Sequence, residues 1–232
     1  MNKIKDSVKR EIIVNAPLKQ VWDALTKPEH LKRWYTKQAE IDFRVGGKGY
    51  MNHGWGATSE GIFTEINPMK HFVLQSLDED FTTITTLKEV ANGIQVSIEY
   101  QASFLSAMSQ NQRENMLFGT GQFLKNLKSV YETNTDIRPH LWKAWIGITH
   151  TTNNGGKGTR VLQVKKDSAA AVAGVKPEDI IEELDGEEMT GYESFEIAMN
   201  KKDINQNVTL TINRKNEKLT VNCVVESYPV PY

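Results

Sequence analysis

The stretch KKDSAAAVAGVKPEDIIEELDG (165–186) constrains the fold most, because several structural signals follow one another in it without a gap. Ser168 can cap a short helix of small residues, and Gly174 supplies a C-terminal stop. Lys176-Pro177 turns the chain into the strand IIEEL, and Asp185-Gly186 is a hairpin signal. Such closely spaced signals predict a compact motif of short strands and helices in the last hundred residues.

The first half of the chain has a different rhythm. VKREIIV (8–14) predicts a strand, and residues 38–104 read as strands separated by turn residues. Asn92-Gly93 marks a tight hairpin within that region. Between these parts lies an amphipathic helix, whose apolar face is formed by Leu18, Val21, Trp22 and Leu25.

Residues 108–132 predict one long helix, since apolar residues recur along it at heptad spacing. A curved antiparallel sheet with one apolar face needs a cover, and a single helix across its concave side leaves a cavity between the layers. We therefore predict an α+β chain with a first domain at 1–134, a linker at 135–141 and a second domain at 142–232.

Composition excludes several classes of function. The 232 residues are 39% apolar and 25% charged, and the formal net charge is −1. Without a basic stripe there is no basis for nucleic-acid binding, and no apolar run reaches the length of a membrane span. The first residues contain no apolar core of signal-peptide length, so we expect a cytoplasmic protein, with Cys223 as a packed core thiol.

Three motifs of the first domain carry a resemblance to a known family. VNAPLKQVWDALTKPEHLKRWY (14–35), FRVGGKGYM (43–51) and EGIFTEINPMKHFVL (60–74) resemble the AHSA1 family of the START-like (SRPBCC) superfamily. The resemblance implies a helix-grip fold, in which a sheet wraps a long C-terminal helix, and a pocket for a hydrophobic small molecule. The candidate cavity-lining residues are Trp34, Tyr35, Phe43, Tyr50, His53, Trp55, Phe63, Tyr100 and Phe104.

The same superfamily leaves two alternatives open. One is an enzyme of the cyclase or hydrolase kind, which would need His53, Tyr50 and Glu65 or Glu99 to converge on one void. The other is a co-chaperone that stimulates a heat-shock protein ATPase, although the extra N-terminal domain of the eukaryotic activator is not expected here. We assign no catalytic residue, metal ligand or cofactor, because the histidines lack ligand spacing and no nucleophile motif is present.

The second domain resembles a PDZ domain of the bacterial, HtrA-like arrangement. The resemblance rests on WIGI (145–148), on residues 159–189 and on VTLTINRKNEKLTVNCVV (208–225). It implies that an extended peptide or protein C-terminus adds a strand beside WIGI, with its carboxylate on backbone N–H groups and Gly147 leaving room for the anion. The candidate peptide-binding residues are Trp145, Ile146, Gly147, Ile148, Tyr192, Glu196 and Met199.

Two further expectations accompany this resemblance. Glu178 stands where the family usually has Gly, a departure that we expect to be conservative for the fold. The terminal residues Val230 and Tyr232 are spaced to enter such a groove, although a disordered tail is the simpler interpretation. WIGI itself could be merely a buried strand. We therefore predict a non-enzymatic adaptor with a hydrophobic ligand pocket and a peptide groove.

Overall fold

A computed structural model describes residues 6–54 and 56–229, and its contacts divide them into two units. The first unit contains the residues up to Met108 together with Met116–Pro139. The second contains Ser109–Asn115 and the residues from His140 onward. The predicted domain boundaries stay a prediction, to which the structure adds that Ser109–Asn115 packs with the C-terminal unit.

The first unit is a seven-stranded antiparallel sheet with two α-helices and most of a third, whose residues up to Asn115 belong to the second unit. Its strand order is β1-β7-β6-β5-β4-β3-β2, so the first strand pairs with the last. The elements are β1 (Asp6–Val14), α1 (Leu18–Thr26), α2 (Pro28–Trp34), β2 (Gln38–Ile41), β3 (Lys48–Asn52), β4 (Thr58–Asn67), β5 (His71–Gln75), β6 (Thr82–Val90), β7 (Gly93–Ala102) and α3 (Gln110–Thr133).

Local sequence explains most of these elements. Along β1 residues alternate between half-buried and exposed positions, as expected of a strand with one covered face. Val90 pairs with Gly93 at the predicted Asn92-Gly93 hairpin, where Gly93 has a φ of 130°. The long helix and the antiparallel sheet confirm the predicted α+β, helix-grip class.

The region after α3 is held against the first unit by polar contacts. The amide of Asn126, which is fully buried, donates to the Trp34 carbonyl at 2.7 Å and accepts from the Ile137 N–H at 2.8 Å. The Arg138 guanidinium donates to Asp136 and to the Lys32 carbonyl. Part of the predicted linker is therefore a packed segment, and Trp34 is fixed in place by it.

The second unit contains a six-stranded sheet and two short helices, and a two-stranded ladder lies beside them. The path of the sheet is β14-β13-β11-β10-β9, with β12 paired to β11, while β15 pairs with β8. The elements are β8 (Ala144–Trp145), β9 (Ile148–Thr152), β10 (Thr159–Val164), α4 (Ala169–Val172), β11 (Ile180–Leu184), β12 (Glu187–Glu188), α5 (Tyr192–Asn200), β13 (Asn207–Arg214), β14 (Glu217–Val224) and β15 (Glu226–Ser227).

The predicted signals of residues 165–186 take their expected places. The Ser168 hydroxyl accepts from the Ala171 N–H at 3.3 Å as the N-cap of α4, and Gly174 follows the helix with a φ of 78°. Asp185 and Gly186 both have positive φ, at 50° and 80°, in the turn between β11 and β12.

One expectation from this region is corrected. Glu178 has a φ of 73°, a left-handed conformation that glycine adopts freely and other residues adopt at a cost of about 1–2 kcal/mol. The departure from the family's Gly is therefore a source of backbone strain rather than a conservative change. The neighbouring Asp179 offsets it, because its buried carboxylate accepts from Arg214 at 2.7 Å and from the Lys176 N–H at 2.8 Å.

The core of the second unit is one apolar cluster around Val161, Ile181, Leu184, Leu210 and Ile212. Cys223 belongs to it, and burial raises the pKa of its thiol to about 12, as expected of a packed core thiol. Within the described residues, no helix is long and apolar enough to cross a membrane.

Candidate functional site

The first unit contains a cavity of about 420 Å³, within the usual size range of small-molecule pockets. Helices α1, α2 and α3 and the strands from β3 to β7 all contribute to its wall. The wall is mainly apolar, and its apolar and aromatic residues are Leu25, Leu31, Trp34, Tyr35, Met51, Phe72, Leu74, Phe81, Ile98, Tyr100 and Met116.

A smaller polar part of the wall is formed mainly by hydroxyl groups. Its members are Thr58, Ser59, Glu60, Ser76, Thr83 and Thr85. Behind Ser59 lies His53, whose Nε2 is 2.8 Å from the Ser59 hydroxyl and whose ring is 4.7 Å from that of Tyr35. Burial lowers the pKa of His53 to about 4, so the imidazole is neutral at pH 7 and fixes the Ser59 hydroxyl by a hydrogen bond.

Three of the predicted cavity residues, Trp34, Tyr35 and Tyr100, lie in the wall itself. The Trp34 indole is anchored by its Nε1, which donates to the Ala24 carbonyl at 2.9 Å. Tyr35 stacks on Trp34 with 4.9 Å between the ring centroids. Burial raises the pKa of Tyr100, whose hydroxyl lies 3.2 Å from that of Thr120 on α3. These rings form a rigid side of the cavity.

The structure places the other predicted residues elsewhere. Phe43 and Phe63 pack edge-to-face with each other and with Phe72, and thereby fill the core beside the cavity. Phe104 is 44% exposed and stacks on the outer side of the wall residue Phe81. Tyr50 lines a separate shallow pocket with Lys48 and Glu60. Trp55 lies outside the described residues.

The groups that an enzyme in this cavity would need do not share one void. Of His53, Tyr50, Glu65 and Glu99, none belongs to the described wall of the cavity. Glu65 instead lies 2.7 Å from His71 at the surface, and Glu99 accepts from Gln101. The described residues also contain no group of three His, Cys, Asp or Glu side chains suited to a metal ion.

The second unit has a groove between the edge strand β9 and helix α5, with a cavity of about 160 Å³. Six predicted peptide-binding residues line it: Trp145, Ile146, Ile148, Tyr192, Glu196 and Met199. Five of these belong to the ladder strand β8, to β9 or to α5, and Ile146 lies between β8 and β9. The described path of the sheet ends at β9, so its outer edge has no strand partner.

Gly147 lies in the loop before β9 and does not line the cavity. Its φ is 85°, and an added Cβ would collide with the side chain of Ser168, so α4 rather than a ligand imposes glycine here. The Ile146 carbonyl accepts from the Ala170 N–H, and the Gly147 carbonyl accepts from the Lys165 N–H. In a trans peptide the next N–H points the opposite way, so the N–H groups of Gly147 and Ile148 point away from these partners.

The structure adds groove residues that sequence reasoning missed. His150 is buried, with Nδ1 2.7 Å from the Thr159 hydroxyl, Nε2 2.8 Å from Glu196 and its ring stacked on Tyr192. Strand alternation was an available signal, because residues 148 and 150 point to the same face. Phe195 belongs to the core of the second unit and also lines the groove.

The C-terminal segment also reaches this groove. Its strand β15 pairs with β8, and the Tyr228 ring lies 5.6 Å from that of Trp145. Burial raises the pKa of Tyr228, which lines the groove cavity. The predicted groove-docking residues Val230 and Tyr232 lie outside the described residues.

An apolar cavity under a helix-grip sheet, followed by a unit with an open edge strand and a facing helix, defines a two-domain protein of the binding or adaptor class. The chain belongs to the family described as Activator of Hsp90 ATPase homolog 1-like protein, whose model matches residues 15–132, about half of the chain. Residues 144–225 match a PDZ domain.

Solved structures are similar to part of this chain. A Staphylococcus saprophyticus protein superposes with a TM-score of 0.51 at 14% identity, over 57% of this chain and 96% of its own. The Aha1 dimer of Colwellia psychrerythraea has a TM-score of 0.49 at 19% identity, and the match covers 56% of this chain and 98% of that one. An AHSA1-like protein of Aeromonas hydrophila has a TM-score of 0.46 at 18% identity, and the match covers 56% of this chain and 94% of that one. No curated protein matches the chain significantly.

Proposed function

We propose that this protein is a non-enzymatic adaptor that binds a hydrophobic small molecule in the first unit and a peptide or protein C-terminus in the second. The observation that carries the proposal is the cavity of about 420 Å³ with its mainly apolar wall. Burial of apolar surface is the main driving force for binding in such a pocket, and a few polar groups orient the ligand.

The wall suggests the chemistry of the ligand. Aromatic rings of Trp34, Tyr35 and Tyr100 favour a flat or extended apolar body. The Ser59 hydroxyl, held by neutral His53, and the Glu60 carboxylate offer hydrogen bonds to a polar group at one end. An amphipathic molecule with one hydroxyl or amine is the class that fits both parts.

The groove supports the peptide half of the proposal. An added strand would lie along β9 against α5, and its carboxylate would face the outward N–H groups of Gly147 and Ile148. Ile146 and Met199, both buried at this end, favour an apolar final residue. The Lys165 ammonium, 5.0 Å from the Trp145 ring centroid, adds positive charge at the same end.

Two measurements test the proposal. Native mass spectrometry of the protein purified from its host should show a bound mass of small-molecule size, which organic extraction removes. In fluorescence polarisation, library peptides with a free carboxylate should bind at least about tenfold more tightly than the same peptides with an amidated terminus. Ligand-free protein together with equal binding of acid and amide would refute both halves. Stimulation of a heat-shock protein ATPase would support the co-chaperone alternative instead.

A further inference from the structure

The outer half of the groove is already occupied by side chains of the same unit. The Asn111 amide donates to the main-chain carbonyl of His150 at 2.5 Å. The main-chain N–H of Thr152 donates to the Glu114 carboxylate, with distances of 3.1 and 3.3 Å to its two oxygens. Gln110 donates to the Thr152 carbonyl at 3.2 Å. These are the outward main-chain groups of β9 that an added strand would use.

The three side chains come from the start of α3, in the segment Ser109–Asn115 that belongs to the second unit. Asn115 extends the contact to α5, because its amide oxygen accepts from the Tyr192 hydroxyl at 3.3 Å. Asn111 and Asn115 accordingly line the groove cavity. The segment thus lies across the space between β9 and α5.

Glu114 holds the segment most firmly. Besides the Thr152 N–H, its carboxylate accepts from the Thr151 hydroxyl at 2.8 Å and from Gln110. Hydrogen bonds to a carboxylate are stronger than neutral ones, so a peptide that paired with Thr152 would have to replace a charge-assisted contact. By contrast, none of the described hydrogen bonds of Asn111, Glu114 and Gln110 goes to Ile146, Gly147 or Ile148.

We infer that Asn111 and Glu114 set the length of peptide that this groove reads. The inference rests on the proposed peptide recognition and specifies its partner class. The partners are C-termini read through the carboxylate and about two final residues, which pair at the uncovered start of β9. Residues further from the terminus find the main-chain groups of His150 and Thr152 already bonded.

The test compares peptide lengths on three proteins. A hexapeptide with a free carboxylate, selected from a library on the full chain, is measured beside the tripeptide of its last three residues. On the unaltered protein, lengthening the peptide from three to six residues should change Kd by less than about twofold. On the triple variant Gln110→Ala, Asn111→Ala, Glu114→Ala, lengthening the peptide should tighten binding by about tenfold, because the main-chain groups of His150 and Thr152 lose their side-chain partners. The control variant Glu187→Ala removes an exposed carboxylate of the same unit and should behave like the unaltered protein.

Glu114→Gln provides a second variant that preserves side-chain length and the helix. On this variant, lengthening the peptide should increase affinity by an intermediate factor. Hydrogen exchange at the Thr152 amide should also be faster than in the unaltered protein. A gain of tenfold from extension on the unaltered protein, or no gain on either variant, overturns the inference and leaves peptide recognition intact. Equal binding of acid and amide forms of the hexapeptide on all proteins rejects the proposed function itself, and the length inference with it.

Discussion

A large side chain directed into the cavity of the first unit should raise the free energy of unfolding if the cavity is empty. The same side chain should lower it if the space is already filled. Thr85 on β6 lines the wall and is 4% exposed, so the change Thr85→Phe directs a ring into the cavity of about 420 Å³. The next residue, Thr86, is exposed on the opposite face of the strand, and Thr86→Phe is the matched control.

The expected magnitude follows from burial. Enclosing a phenyl ring contributes at most about 3 kcal/mol, from which rotamer restriction subtracts about 0.5–1 and the lost threonine hydroxyl about 1. The free energy of unfolding should therefore rise by at most about 1–1.5 kcal/mol for Thr85→Phe. In a filled core the same ring would lower it by about 1–3 kcal/mol, since overpacking displaces neighbours. Thr86→Phe should change it by less than about 0.5 kcal/mol.

Urea denaturation measures the stability change, and fluorescence of anilinonaphthalene sulfonate measures access to the cavity. Thr85→Phe should weaken dye binding at least about tenfold, whereas Thr86→Phe should leave it unchanged. A destabilised Thr85→Phe variant that binds the dye as tightly as the unaltered protein would refute the assignment of the cavity.

Three further substitutions test the structure at other points. Asp179→Ala removes the buried partner of the partly exposed Arg214 and should lower the free energy of unfolding by about 1.5–3 kcal/mol, as measured in urea. For His53, the pKa falls from 6.5 in the unfolded chain to about 4 in the folded one, so stability present above pH 6.5 is lost as pH falls towards 4. Between pH 7 and about pH 4.5, the His53→Gln variant should therefore lose about 2–3 kcal/mol less free energy of unfolding than the unaltered protein. Urea denaturation at several pH values in this range measures the difference. Gly147→Ala forces a Cβ against Ser168 at positive φ and should lower the free energy of unfolding by about 2–4 kcal/mol, with peptide affinity reduced at least about tenfold in polarisation.

Each of these predictions has a contrary outcome. An Asp179→Ala variant within 1 kcal/mol of the unaltered protein would show that the ion pair contributes little net stability (about 1 kcal/mol being the range of exposed pairs). An unchanged pH profile for His53→Gln would mean that this imidazole is not buried neutral. Full peptide affinity in Gly147→Ala would place the carboxylate site away from the loop before β9.

Much of the fold follows from local sequence signals. The spacing of four residues predicts the apolar face of α1, and the structure buries Val21, Trp22 and Leu25 and half-buries Leu18. The hairpin between β6 and β7 forms where Asn92-Gly93 predicts a turn, and Ser168 caps α4, because each signal acts on neighbouring residues. Such features need no knowledge of distant contacts.

The cavity wall could be predicted only in part. Trp34 at the end of α2 and its C-cap residue Tyr35 line the wall, but the predicted residues Phe43, Phe63 and Phe104 do not. The register of β4 against β5 shifts between Phe63 and Glu65, and Phe63 turns towards an aromatic cluster beside the cavity. A bulge of this kind changes which face of the sheet a residue occupies, and the strand propensities of single residues do not predict where it occurs.

The sequence could not predict that side chains cover the edge of β9, because the covering residues are far from β9 along the chain. Asn111 and Glu114 lie 39 and 38 residues from their main-chain partners His150 and Thr152. Their polarity predicts that these half-buried residues stay out of an apolar core, but it carries no information on which strand edge they meet. The left-handed φ of Glu178 was missed likewise, because a glutamate gives no local sign of a strained turn.

The most direct test of the central claim, that the first unit encloses an apolar cavity, is an isotope-filtered NOE measurement on the labelled protein with anilinonaphthalene sulfonate. The structure predicts NOEs from the dye's aromatic protons to the methyl groups of Leu31, Leu74 and Ile98, which line the wall from α2, β5 and β7. NOEs confined to exposed apolar residues such as Val45 and Leu77 would contradict it, because they would place the dye on the surface.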